Sequence, residues 1–238
     1  MKRISCFVGR MVLVLVVILS VLVGVNSCAG TSKRAGPDSV QLKPIKLYPP
    51  QRGNNKLLMQ CLWERKSTRK FTEKKLSLNT LSNLLWAADG INRPETGKRT
   101  APSAMNWQEV DIYVAMKKGI YLYDAKKNIL QPVLAKDVRS KTGSLIQPFV
   151  GKAPLNLVYV QNGSKIGLTG KVIADQKRLI YSAVTAGCIS QNVYLYCASE
   201  GLGTVVRALI NKSDLRKLMG LRKDQRILLA QTVGYPEK

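Results

Sequence analysis

Apolar positions change their spacing several times along the chain, and each change marks an element. After Ser77, the residues Leu78, Leu81, Leu84, Leu85 and Ala88 recur every three or four positions, as one buried helical face requires. Gly90 follows, where the glycine after a helix belongs. Leu57 to Trp63 predicts a shorter helix ahead of it. Val110 to Met116 alternates with period two, and Lys117-Lys118-Gly119 turns that strand into Ile120-Tyr-Leu-Tyr123, a hairpin. Leu155 to Val160 predicts another strand. Asp175 to Ser199 is the longest helical stretch and stops at Gly201. Thr204 to Val206 and Ile227 to Val233 predict strands around a short helix from Ser213 to Met219. Strands that first meet in a hairpin, with no helix between them, predict an α+β domain rather than a doubly wound parallel sheet.

The amino terminus follows a different pattern. Lys2, Arg3 and Arg10 precede an unbroken apolar run from Met11 to Val25, then Asn26-Ser27-Cys28-Ala29-Gly30. A basic start, a short apolar run and small residues after it are the layout of an export signal. The run falls short of the roughly 20 residues that a spanning helix needs. Val25-Asn26-Ser27-Cys28 also resembles a bacterial lipobox, in which cleavage precedes a cysteine that then carries lipid. The alternative is an ordinary signal with an incidental cysteine. Residues 1–27 are therefore expected to be the signal, 28–56 a solvated tether rich in Gly, Ser, Pro, Lys and Asn, and 57–238 the folded domain. The expected location is the outer, periplasmic side of a bacterial membrane, anchored through lipid on Cys28.

Composition narrows the chemistry. The 238 residues include 38 Lys plus Arg, 14 Asp plus Glu and no His, for a formal charge of +24. Without His there is no Ser-His-Asp or Cys-His catalytic unit and no imidazole-ligated metal; no metal site is expected. The charge favours anionic partners. Nucleic acid is not expected among them, because the cations do not alternate with an aromatic ladder and no recognition motif is present. Of the cysteines beyond Cys28, Cys188 and Cys197 fall on one helix roughly 13 Å apart, too far for a disulfide. Buried thiols are expected.

Four stretches could carry function. Glu64-Arg-Lys-Ser-Thr-Arg-Lys-Phe71 puts cations and hydroxyls at a helix end, donors suited to a phosphate, although a solvated charge run looks the same. Arg99-Thr-Ala-Pro-Ser-Ala-Met-Asn-Trp-Gln108 combines small and amide residues that let backbone approach a planar ligand; a plain surface loop is the alternative. Ser190-Gln191-Asn192 lies within the long helix and needs hydrogen-bond partners if that face is buried. Glu200-Gly-Leu-Gly-Thr-Val-Val-Arg207 has neither a GxGxxG fingerprint nor a Walker lysine.

In this order, the segments resemble the nitroreductase family of flavoenzymes, with the SagB-type dehydrogenase branch closest. The resemblance runs from about Leu57 to Pro236. It is carried by Arg65 to Phe71, Leu84 to Arg93, Arg99 to Gln108, Gln191 to Leu195 and Ser199 to Arg207. It implies a mainly antiparallel central sheet flanked by helices, an interlocked homodimer, and FMN at the subunit interface. Arg65, Lys66, Ser67 and Arg69 match the run that holds the FMN phosphate. Pro102, Ser103, Ala104 and Asn106 match a stretch that touches flavin from the partner subunit. Val206, Arg207 and Ala208 fall where the family's backbone passes the flavin ring.

The implied activity is an FMN-dependent oxidoreductase. Flavin N5 would carry hydride or electrons in ping-pong fashion between a donor (NAD(P)H or a membrane redox partner) and a small-molecule acceptor, with no side chain in a catalytic role. Two departures stand out. Ala208 and Leu209 occupy places where many members have glutamate and glycine, and no cation pair follows the final strand before Lys238. A lipoprotein that kept the fold and binds flavin or another ligand without turnover is the alternative these departures suggest.

Overall fold

A computed structural model describes residues 41–51 and 56–237. The expected signal over 1–27, Cys28 and the first part of the expected tether lie outside them. Strand β1 (Ile45–Lys46) is followed by helices α1 (Leu58–Glu64) and α2 (Leu78–Asp89), a small hairpin of β2 (Ile91–Arg93) and β3 (Lys98–Arg99), and strands β4 (Val110–Met116), β5 (Gly119–Asp124) and β6 (Ile129–Leu134). One-turn helix α3 (Phe149–Lys152), strand β7 (Leu155–Asn162), one-turn helix α4 (Leu168–Lys171) and long helix α5 (Asp175–Ser199) come next. Strand β8 (Gly203–Arg207), helix α6 (Lys212–Leu218) and strand β9 (Gln225–Gly234) complete the order.

Seven strands form one sheet in the order β1-β6-β5-β4-β7-β9-β8, and every pairing in it is antiparallel. The fold is α+β, as the hairpin pattern implied. The register Met116↔Gly119 leaves Lys117 and Lys118 as a two-residue turn. On one face, α2 and α5 close the main core through Leu84, Leu85, Ile189 and Val193 against Ile112, Leu157 and Tyr159. On the other, α6 seals a smaller core through Leu215 and Met219 against Val158, Val160 and Ile227. Because both faces are covered, β7 is buried at every residue and reads as a continuous apolar run until its amide end.

Three local expectations change. Ser77 does cap α2, its Oγ accepting from the Thr80 amide at 3.0 Å. Gly90, however, is extended (φ −75°, ψ 165°), not left-handed. It must be glycine because a Cβ there would come within 2.7 Å of Trp86 Cα. The stretch expected as tether is docked at its end: Ile45 and Lys46 pair with β6, Leu47 is buried, and the Tyr48 amide donates to Ser82 Oγ at 2.9 Å. Strand β6 escaped notice because Pro132 interrupts it; it is accommodated beside a register shift at Ile120/Tyr121. The cysteines Cys61, Cys188 and Cys197 are free thiols, and Cys61 and Cys197 are buried.

Candidate functional site

The first group of expected site residues comes together where α1 ends. Arg65 leaves that helix, and Ser67 bridges to Thr204 on the edge of β8, with the Thr68 amide donating to the Thr204 carbonyl at 2.9 Å. Gly203 permits this approach, since a Cβ there would lie 2.9 Å from Thr68 Cβ. Tyr194 on α5 ties the corner together. Its hydroxyl lies 2.9 Å from Ser67 Oγ and accepts from the Val206 amide at 3.1 Å, while the Arg65 guanidinium stands 5.3 Å from its ring centroid. A cavity of about 410 Å³ opens beside them, lined by Arg65, Lys66, Thr68, Tyr194 and Thr204. Its one carboxylate, Glu64, is paired with Lys56, so the free donors are cations and hydroxyls. Such a set suits a phosphoryl group.

Not every residue of the group points there. Arg69 is exposed and does not line the cavity. Ala208 is exposed just past the end of β8. Arg207 is buried beneath the strand, where its Nη1 donates to the Thr142 carbonyl at 2.8 Å, Nη2 to Asn156 Oδ1 at 3.2 Å and Nε to Thr232 Oγ1 at 3.1 Å. Burial lowers its pKa to about 10, and no carboxylate pairs with it among the described residues. Its side chain is a structural hub; only its backbone runs along the expected path.

The second group forms a separate loop. Ser103 Oγ accepts from the Gln108 amide at 3.0 Å, and Met105, Asn106 and Gln108 all take left-handed backbone at φ 47°, 53° and 52°. None is glycine, so each conformation costs about 1 kcal/mol or more. The surroundings hold it in place. Arg99 Nε donates to Gln108 Oε1 at 2.9 Å, and its Nη1 reaches the Asp89 carbonyl at 2.8 Å and Asp89 Oδ2 at 3.2 Å. Burial raises the Asp89 carboxyl to about 7 although Arg99 pulls it down. Glu109, at the foot of the loop, is fully buried, and neither carboxylate oxygen has a partner among the described residues. Pro102, Met105 and Asn106 remain exposed.

One chain does not bring the two groups together. Trp107 packs on Tyr181 at 6.1 Å, near the start of α5, whereas Tyr194 lies thirteen residues further on. At 1.5 Å per residue the separation is about 20 Å. Between them, α5 exposes Ile180 and Val184. The polar triplet on α5 divides: Gln191 is exposed, the Ser190 carbonyl accepts from Gln231 at 3.3 Å, and Asn192 donates to the Ala88 carbonyl at 3.4 Å. Tyr194, Thr68, Asp89 and Glu109 were not singled out from sequence. A tyrosine on a buried helical face reads as core, and nothing in the local pattern marks Glu109 as buried.

A match to the nitroreductase family spans residues 62–235. A protein of Methanocaldococcus jannaschii whose name places it among nitroreductases is 29% identical over 180 residues, covering 72% of this chain and 88% of its own. A crystal structure of a protein from Ralstonia eutropha, likewise named as a nitroreductase, is 44% identical and superposes with a TM-score of 0.76. That match covers 82% of this chain and 90% of the other. The NADPH:FMN oxidoreductase of Vibrio harveyi, complexed with NAD+, shares the fold at 20% identity and a TM-score of 0.55, over 76% of this chain and 69% of its own.

Proposed function

The chain belongs to the nitroreductase family, and on that premise we propose that it is an FMN-dependent oxidoreductase, active as a homodimer at the bacterial cell envelope. The corner at Ser67 carries the reading: converging cations and hydroxyls beside a cavity of about 410 Å³, with no free carboxylate in its lining. Arg65, Lys66 and Ser67 would hold the FMN phosphate, and Tyr194 would fix the Ser67 hydroxyl against the Val206 amide. Arg69 would add long-range attraction from the surface. Main chain from Val206 to Ala208 would border the ring. When bound, FMN supplies reversible hydride and electron transfer.

The loop of Pro102, Ser103, Ala104 and Asn106 cannot reach the same ligand within one chain. In a homodimer it would face the partner's cofactor. Exposed Ile180 and Val184 on α5, with Leu62 and Trp63 on α1, are the apolar surface such an interface would cover. The electron donor would be NAD(P)H or a membrane redox partner, and the acceptor a small molecule. The basic start, the apolar run and Cys28 support export and lipid anchoring. The motif order favours the SagB-type branch.

A second reading, a flavin- or ligand-binding lipoprotein without turnover, draws support from exposed Ala208 and Leu209, which lack a carboxylate. One experiment treats both. Full-length chain purified in detergent is mixed with FMN and passed over gel filtration, then assayed with a nitroaromatic or quinone and NAD(P)H. Retained yellow chromophore with turnover is expected. Retention without turnover selects the second reading, and no uptake of FMN overturns both.

A further inference from the structure

The largest cavity of the fold, about 1170 Å³, lies away from the Ser67 corner. Its position follows from the register of the sheet. The last β8–β9 pair is Arg207↔Ala230, so β9 from Gln225 to Leu229 has no strand on that side. Helix α5 borders the gap on one flank and α6 on the other, and every second residue of such an edge turns its amide or carbonyl outward.

The lining has two chemistries. Leu179, Ala183, Leu221 and Leu229 give an apolar wall. Lys212, Arg216, Lys217, Lys223 and Arg226 ring it with cations. Acids close by are already engaged: Asp175 with Arg178 and Arg226, Asp224 with Arg222, and Asp214 with Asn211. Lys212, Lys217 and Lys223 therefore form no ion pair among the described residues. Arg216 adds a directed donor. Its Nη2 is fixed on the Arg222 carbonyl at 2.9 Å, while its buried Nε has no partner. A water-filled surface would satisfy that N–H, and a purely apolar partner would leave it and the lysines unpaired.

We propose that this cavity, between α5, α6 and the unpaired end of β9, binds an amphipathic anion: one carboxylate, sulfonate or phosphate on the α6 cations and an acyl or aromatic body on the leucine wall. The charge of the rim selects the head group. The volume, above that of an ordinary compact ligand site, accommodates an extended body. The site adjoins Ala208 but does not depend on flavin binding.

The test uses full-length protein without added FMN and two fluorescent probes of the same shape, anionic 1-anilinonaphthalene-8-sulfonate and neutral N-phenyl-1-naphthylamine. Saturable binding of the anionic probe at one per chain is expected. Lys212→Glu with Lys217→Glu should weaken it about tenfold at low salt, and by less in high salt. The neutral probe should change by less than about twofold, and Ala183→Trp should weaken both. Lys126→Glu with Lys127→Glu, in the β5–β6 turn, is the control for general surface charge.

Equal loss in the two charge-reversed pairs would overturn the proposal. So would complete displacement of the probe by inorganic phosphate alone, which marks a bare anion site. Loss of sedimentation with phosphatidylglycerol vesicles in the α6 variant, its probe affinity intact, would make this face a membrane contact. Dissociation of a dimer by Ala183→Trp would make it a subunit interface. FMN uptake is measured separately, so failure here leaves the redox reading standing, and the reverse also holds.

Discussion

At Ser67 the chain is held by a strand bridge to Thr204 and one tyrosine hydroxyl, whereas from Pro102 to Gln108 it is held by three left-handed residues and a buried guanidinium–carboxylate pair. The first region takes its shape from regular elements, and its backbone costs little. The second keeps strain and buried charge that the surrounding core must offset. Stabilising contacts alone would not retain such a loop. Strain held against a rigid core, on a segment that leaves Pro102, Met105 and Asn106 exposed, is the signature of a surface preset for contact. The Ser67 corner is a binding device on its own; the loop awaits a second body.

The comparison breaks most visibly at the corner. Arg65→Ala with Ser67→Ala removes one charge-assisted donor and one hydroxyl, each worth about 1.5–3 kcal/mol to a bound phosphate. FMN affinity should fall at least about 100-fold, with the melting temperature almost unchanged because Arg65 is only half-buried and Ser67 exposed. Fluorescence titration of FMN checks it. Full retention of affinity would place the phosphate elsewhere.

The same contrast governs what sequence could reveal. The corner was legible because its donors are adjacent in the chain and differ from core residues in type. The core faces of α2 and α5 were legible because Leu81, Leu84 and Leu85, or Ile189 and Val193, repeat with the helical period. The loop was legible only as a stretch of small and amide residues. Left-handed backbone at Met105 and Gln108 is imposed from outside, by Arg99 and by packing under Glu109, and neither residue type prefers it. Strand β1 has two residues and β6 contains a proline, so neither carries enough alternation to be read. The docking of Leu47 depends on that pairing and was hidden with it.

A smaller effect separates the regions by pH. The Asp89 carboxyl, ordinarily near 3.8, is raised to about 7 by burial. A carboxyl with a raised folded pKa stabilises the fold fully below its unfolded value and loses that contribution as pH climbs through the folded value. Asp89→Asn keeps an oxygen for Arg99 but cannot ionise. Relative to the parent it should gain on the order of 2 kcal/mol at pH 8 and nothing at pH 4, less than the full shift implies because Arg99 loses its counter-ion. Chemical denaturation at both pH values reads the difference. Matching profiles for parent and variant would show that burial of Asp89 does not control the loop's foundation.

The smallest effect isolates backbone strain itself. Met105 is 57% exposed, and its φ of 47° places it where a side chain costs about 1 kcal/mol or more. Met105→Gly removes that cost at the expense of extra entropy in the unfolded chain, about 0.5–1 kcal/mol. The net should be a stabilisation of about 0.5 kcal/mol, seen as a small rise in denaturation midpoint with an unchanged slope. The parallel substitution at the corner, Ser67→Gly, relieves no strain and forfeits the bond to Tyr194, so it should destabilise by about 1 kcal/mol. Opposite signs from two glycines would establish that strain resides in one region and not the other. If Met105→Gly also destabilises, the left-handed residues are not strained, and the loop's shape comes from side-chain contacts alone.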